Sequence, residues 1–393
     1  MRRLAAAVLL ALALVPTAPA ATRVDSPLGR KLAQALRVPH VSSTRSAALV
    51  VDLETGEAIF GQNPSRPLAP ASNEKLPLTY VLLTALGPSF RVETTVQLAG
   101  EDIYLVGAGD PTLSRRDLTA LASQVRAAGV GHVRRVLGDE SRFDTRRTAP
   151  GWKPSFFINE SPPLSALTVD RAHYSGHITR EPALAAALLF RDALRGAGVA
   201  VAGTAATGKA PSDAEQVASV RSPSLASLVV QMDLQSDNFT AELLLKQLGL
   251  LQADQGSTAA GAQTVMRLLG ADGIPLAGVH FVDGSGLSQL DRLTAEALVT
   301  ILDSLWSDPA FQPILRHALP LAGKSGTLRD RMRSAPLRGN VLAKTGTTSE
   351  ASALAGFVKE RYVFAVLQNG HPLAYWWARK AQDRFATVLV GLS

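Results

Sequence analysis

Apolar positions in this chain fall into two kinds of run: short ones of strand length, broken by turn residues, and longer ones of helix length. Ala47 to Phe60 has the pattern of a β-hairpin, two apolar runs flanking Glu54-Thr55-Gly56-Glu57, where Gly56 gives the backbone freedom of a tight turn. A Pro-rich loop, Pro64 to Ala71, leads into Ser72-Asn73-Glu74-Lys75 and the apolar run Leu76 to Leu86. Ser72 is an N-cap type of residue and the run after it has helix length, so a helix is predicted to start near Ser72. Pro77 is close enough to that start to be tolerated.

From about Arg91 the pattern changes. Short strands are predicted at Glu93 to Leu98, Ile103 to Val106, Val133 to Leu137 and Val199 to Val201, with helices at Arg116 to Ala128 and Pro182 to Ala197. These read as an α+β insert, closed by a polar linker around Pro211 to Glu215. Helical pattern resumes at Ser224 to Leu234 and Phe239 to Leu248. Strands follow at Asn340 to Ala343, Ala353 to Lys359 and Tyr362 to Gln368, and the chain ends in an amphipathic helix, about Ala374 to Leu392. The simplest α+β arrangement is an antiparallel sheet packed between N- and C-terminal helices. Residues 21–90 and 215–393 are expected to form that unit, and residues 91–214 the insert.

Composition narrows the class. A chain of 393 residues suggests two or three domains, and 46% hydrophobic with 19% charged residues is an ordinary globular balance. Arg2 and Arg3 precede the apolar run Leu4 to Val15 and an Ala-x-Ala end at Ala20, the pattern of a cleaved secretory signal over residues 1–20. The run is too short for the ~20 residues of a membrane-spanning helix. A mature chain exported to the periplasm or outside the cell is therefore expected, associated with the cell wall and without a transmembrane anchor. With no cysteine, disulfides and thiol catalysis are excluded. The formal net charge of +7 falls to +5 once Arg2 and Arg3 leave, a modest basicity suited to acidic wall polymers or membrane surfaces. The cations are scattered without interleaved aromatics, which argues against nucleic acid.

Three short segments carry candidate chemistry. In Ser72-x-x-Lys75 the i and i+3 positions share a helix face, so the amine can reach the hydroxyl. Serine is a weak nucleophile and needs a base. Lysine can serve when burial and nearby positive charge lower its pKa. The helix start also offers free N–H groups to a developing oxyanion. In Ser236-Asp237-Asn238, between two helical segments, a hydroxyl can relay a proton to a leaving amine and the Asn238 amide can position substrate and lysine. In Lys344-Thr345-Gly346-Thr347, at the end of a predicted strand, Lys344 and Thr345 suit a carboxylate. Gly346 lets substrate lie against the strand, and the Thr347 N–H suits an oxyanion hole. Lys324-Ser325-Gly326-Thr327 has similar chemistry but lacks a clean strand pattern on its far side, so Lys344 is preferred.

Each motif alone is weak, but the ordered trio is the one found in class A β-lactamases and penicillin-binding proteins. Three further stretches are Leu105 to Leu113, Ser165 to Arg171 and Asp283-Gly284-Ser285-Gly286-Leu287-Ser288. With these and Ser236 to Leu244, the chain resembles the D-Ala-D-Ala carboxypeptidase/endopeptidases, the low-molecular-weight class C penicillin-binding proteins. The resemblance implies a β-lactamase/transpeptidase-like domain interrupted by inserted material. It also implies a serine D-Ala-D-Ala carboxypeptidase acting on peptidoglycan peptides, binding β-lactams and using no cofactor or metal. Ser72, Lys75, Ser236 and Asn238 would be catalytic, and Lys344, Thr345, Gly346 and Thr347 would bind substrate. The 164 residues between Ser72 and Ser236 leave room for an insert. Members of that family usually carry two inserts. Here only about ten residues separate Val169-Asp170-Arg171 from the helix starting near Pro182, so the second is expected to be missing.

Other classes fit less well. A class A β-lactamase needs a Glu-x-x-Leu-Asn loop, which the sequence lacks. A non-catalytic penicillin-recognising sensor or wall-binding protein would not need all three reactive motifs. His173 and His177 are four apart but without an adjacent glutamate, and read as polar residues on a strand or loop rather than metal ligands. Gly107-Ala108-Gly109 lacks the third glycine of a dinucleotide loop. The charge run Arg329 to Arg333 reads as a solvated surface.

Overall fold

Ser46–Asp52 is an inner strand of the main sheet, pairing antiparallel with Tyr362–Asn369 on one side and Ala58–Gln62 on the other. The computed structural model describes residues 26–392, so the expected signal segment lies outside the described residues. Beyond Tyr362–Asn369 lie Ala351–Val358 and, at the edge, Val341–Thr347, all antiparallel. Ala351–Val358 is buried at every position, because helices cover both faces of the sheet. That is why these strands read as continuous apolar runs instead of alternating ones.

One face is covered by the helices Pro27–Leu36 and Tyr375–Val390, with Phe385 packing edge-on against Phe60 at 5.6 Å. The other face packs on Lys75–Leu86, Leu225–Gln235 and Ala295–Ser307. The helix Lys75–Leu86 is buried continuously from Lys75 to Leu83, as its unbroken apolar sequence requires. Sequence pattern did not bring out the helices Pro27–Leu36, Thr258–Ala271, Ala295–Ser307 or Gln312–Ala318.

The insert holds a second sheet in the order Ala205–Thr207, Arg135–Asp139, Asp102–Val106, Glu93–Ala99, Glu215–Arg221. The first three strands run parallel, and the helices Arg115–Ala127 and Pro182–Gly196 pack on this sheet. The expected boundary at residue 214 cuts this sheet, because Glu215–Arg221 pairs along the length of Glu93–Ala99. Its half-polar sequence, Glu-Gln-Val-Ala-Ser-Val-Arg, shows no clear strand pattern, and the expected linker ends at its first residue, Glu215. We place the doorway of the insert at Val92 and Ser222. The Ser222 N–H donates to the Val92 carbonyl and the Val92 N–H to Ser222 Oγ, each at 2.9 Å. Where a second insert was expected to be missing, the chain makes only a small hairpin, His173–Tyr174 with His177–Ile178.

Candidate active site

Ser72 lies in the 3₁₀ turn Ala71–Glu74, which runs directly into the helix Lys75–Leu86. It was expected as a cap, but its hydroxyl takes no helix N–H; it accepts from Lys75 Nζ at 3.2 Å. The 3₁₀ turn satisfies the helix entry through backbone bonds, and this leaves the Ser72 oxygen available for chemistry. Gly286 has φ +79°, and a Cβ there would stand 1.9 Å from the Ala71 carbonyl oxygen, so only glycine lets the Asp283–Ser288 loop close on this turn.

Lys75 is fully buried and its amine has two further acceptors, Asn238 Oδ1 at 2.8 Å and the Ser285 carbonyl at 2.7 Å. Burial pushes its pKa down to about 8, against the opposing pull of Asp283, Asp233, Glu242 and Asp237. Ser236 is the left-handed residue that ends the helix Leu225–Gln235. Asp237 next caps the helix Asn238–Ala253, accepting the Phe239 and Thr240 N–H groups. Arg171 grips Asp237 through both guanidinium nitrogens at 2.7 and 2.8 Å. The Ser-Asp-Asn segment is thus a tight hinge between two buried helices. Asn238 spans the cleft, taking the Lys75 amine on Oδ1 and donating from Nδ2 to the Glu160 carbonyl at 3.1 Å.

Lys344 sits on the edge strand, fully buried, with its amine donating to Ser236 Oγ and to the Thr345 carbonyl, both at 2.9 Å. Burial, then the charge of Lys75, pushes its pKa down to about 7. A Cβ on Gly346 would lie 2.6 Å from the Pro70 carbonyl and 3.1 Å from the Ser72 nitrogen, so strand and nucleophile turn touch backbone to backbone. Thr347 is the exposed last residue of the strand. All three motifs therefore face one cleft, with Ser72, Lys75 and Asn238 joined by one set of bonds and Ser236 with Lys344 by another.

Several neighbours were not singled out in the sequence. Thr327 of the set-aside Lys324 motif shares a 2.6 Å bond with Thr345 between their hydroxyls, while the Lys324 amine lies against Gly339. Asp233 is buried near both lysines and accepts from Thr79 at 2.7 Å. The charge run is not simply solvated. Arg331 is tucked in and bonds Asp383 at 2.8 Å and Gln382 at 2.9 Å, tying the loop to the last helix. His173 and His177 are exposed, their rings turned to backbone carbonyls nearby in the chain.

The model of the D-Ala-D-Ala carboxypeptidase 3 (S13) family matches residues 28–181 and 176–389. The chain belongs to that family. Membership makes it a serine-type D-Ala-D-Ala carboxypeptidase. A D-alanyl-D-alanine carboxypeptidase from an Actinomadura species is 32% identical, covering 86% of this chain and 80% of that protein. Carboxypeptidase DacB of Mycolicibacterium smegmatis is 31% identical over 95% of this chain and 85% of its own. The solved structure of penicillin binding protein 4 from Haemophilus influenzae matches with a TM-score of 0.80, at 20% identity, over 93% of this chain and 99% of that one. A predatory peptidoglycan endopeptidase of Bdellovibrio bacteriovorus matches at 0.56 and 20% identity, over 82% and 86%. At such identity these two structures speak to fold, and the fold of the S13 enzyme is the expected transpeptidase-like sheet between helices with an α+β insert.

Proposed function

We propose that Ser72 attacks the carbonyl of the penultimate D-alanine of a peptidoglycan stem peptide and holds the shortened peptide as an ester. The observation that carries this reading is the buried Lys75 amine 3.2 Å from the Ser72 hydroxyl. Lys75 takes the hydroxyl proton as the C–O bond forms, a general-base contribution of about 10²–10⁴-fold. The oxyanion of the tetrahedral intermediate turns to the N–H groups of Ser72 and Thr347. As the peptide C–N bond breaks, the leaving D-alanine nitrogen takes a proton delivered through Ser236. Asn238 positions Lys75 and substrate, while Lys344 and Thr345 hold the terminal carboxylate with Gly346 making room. Water, deprotonated by the same lysine, then cleaves the ester.

The same site would cut D-Ala–diaminoacid cross-links. In support, a cleft beside Ala71 is lined by the ion pair of Lys153 and Glu350, 3.2 Å apart, which a residue bearing an amine and a carboxylate could open and replace. β-Lactams would acylate Ser72 and stay, since no Glu-x-x-Leu-Asn loop is present to place a deacylating water. We place the working enzyme outside the cytoplasm, on the character of residues 1–20; no helix among the described residues is long and apolar enough to cross a membrane. The test is mass spectrometry after incubation with benzylpenicillin. A penicilloyl adduct is expected on the peptide containing Ser72 and none on Ser72→Ala; an adduct that survives the substitution moves the nucleophile elsewhere.

A further inference from the structure

Behind Lys75 lies a group of buried carboxyls that the reaction scheme leaves unused. Asp283, Glu74, Glu242 and Asp291 are all fully shielded from solvent. Asp283 differs from the others in its bonding. It accepts five donors: Trp152 Nε1 at 2.7 Å, the N–H groups of Ser285, Gly286 and Ser288 at 3.1, 2.6 and 2.8 Å, and Ser285 Oγ at 3.2 Å. These bonds tie the Asp283 carboxyl firmly into its loop. The remaining three each leave at least one oxygen without a partner: both on Glu74, Oε2 on Glu242 and Oδ2 on Asp291. In all three, burial and then the charge of Asp283 push the pKa up, in Glu242 to about 8. Asp283 is thus the member of the cluster with the fullest set of bonds.

Asp283 is joined to the base by the backbone. The donors to Asp283 curl the 283–288 loop so that the Ser285 carbonyl points at the Lys75 amine, 2.7 Å away. The same loop is pinned from the helix Asn238–Ala253 by Glu242, whose Oε1 accepts the Gly284 and Ser285 N–H groups at 3.0 and 2.9 Å. We propose that Asp283 is a positioning residue for the general base: it aims the Ser285 carbonyl that holds the Lys75 amine, and its charge sets the pH at which that amine gives up its proton. This rests on Lys75 acting as the base toward Ser72. The other titratable groups facing Lys75 are Asp233 from the helix Leu225–Gln235, Asp237, which caps the next helix, Glu242 from that helix, Glu74 from the turn before its own helix and Lys344 from the edge strand. Trp152 extends the control to the insert side, since it hangs from the 140–163 segment and reaches Asp283 from outside the cluster.

The test is the pH dependence of Ser72 acylation at saturating benzylpenicillin. The wild-type rate is expected to rise with pH along an acid limb set by Lys75. In Asp283→Asn the opposing charge is gone, the ammonium form loses support, and the limb moves to lower pH by about one unit. The plateau also falls, because the Ser285 carbonyl is less firmly aimed. A merely structural residue would lower the plateau and leave the limb in place, and that result overturns the proposal. Should Asp283→Asn give only aggregate, Trp152→Phe carries the test. With one donor lost the Asp283 carboxylate is less well supported, and the limb moves in the same direction as in Asp283→Asn but by less; an unmoved limb overturns the proposal. Failure of the underlying reading looks different: wild-type protein that is not acylated at Ser72, or is acylated at a rate independent of pH.

Discussion

The amine of Lys75 and the side-chain oxygen of Asn238 stand 2.8 Å apart, although 163 positions separate them in the chain. This bond joins the helix Lys75–Leu86 to the helix Asn238–Ala253, with the whole insert looped out between them. Because it holds one of the three directions of the ammonium, it constrains where the neutral amine's lone pair can point when Lys75 acts on Ser72. The expectations below concern this assembly.

Turnover should follow the protonation of Lys75. With a pKa pushed down to about 8, the amine is charged and idle below that value and free to act above it. At saturating peptide, kcat is expected to rise through pH 8 and to be about ten-fold lower at pH 7 than on its plateau. On the proposed role of Lys344, KM should rise as well above pH 7, as that amine sheds its proton. Initial rates between pH 6 and 10 separate the two limbs.

Gly346→Ala should inactivate. The added carbon meets the Pro70 carbonyl at 2.6 Å and the Ser72 nitrogen at 3.1 Å, so strand and turn must part. That moves both oxyanion donors, and a loss of about 100-fold in kcat is expected. A variant with near-normal kcat would show that the two backbones need not touch.

Thr327→Val should weaken the carboxylate clamp by one neutral hydrogen bond. Its hydroxyl lies 2.6 Å from that of Thr345. Removing it is expected to lower kcat/KM about five- to ten-fold, with an unchanged melting temperature. An equal loss on substrates lacking the terminal carboxylate would remove Thr327 from the clamp.

Arg171→Met should cost stability as well as rate. Burial tends to raise the Asp237 pKa, yet the two bonds and the charge of Arg171 hold it below the usual aspartate value. Arg171 is itself 41% exposed, so solvent screening limits the loss to about 1–2 kcal/mol at pH 7. The folded-state pKa is depressed, so this contribution is present above the ordinary aspartate range and disappears as pH falls through the folded value. Urea unfolding at pH 7 should therefore show a deficit that shrinks below about pH 3.9. Asn238 adjoins the capped residue, and kcat should drop with it.

The parts of this enzyme that could be read from sequence are those where local pattern and chemistry coincide. The Ser46–Gln62 hairpin, the central helix after Ser72 and the last three strands have apolar runs that only burial explains. What stayed hidden depends on contacts between distant segments. Glu215–Arg221 looks like linker until Glu93–Ala99 is beside it. Ser285 acts through its backbone carbonyl, which no side-chain motif records. Thr327 was set aside with Lys324 because the whole tetrapeptide was weighed as a rival clamp, whereas the fold uses one hydroxyl of it. Arg331 sits in a run whose exposed members, Arg329 and Asp330, gave the stretch its solvated character.

The pairing of Ser46–Asp52 with Tyr362–Asn369 also has a consequence in time. A chain synthesised from its N-terminus has made Ser72 and Lys75 long before the strand that completes the middle of their sheet, and Lys344 comes only shortly before that strand. Contacts this far apart in sequence close late and slowly. The nascent protein therefore holds Ser72 and Lys75 apart from Lys344 for most of its synthesis, and the three segments meet only among the final events of folding.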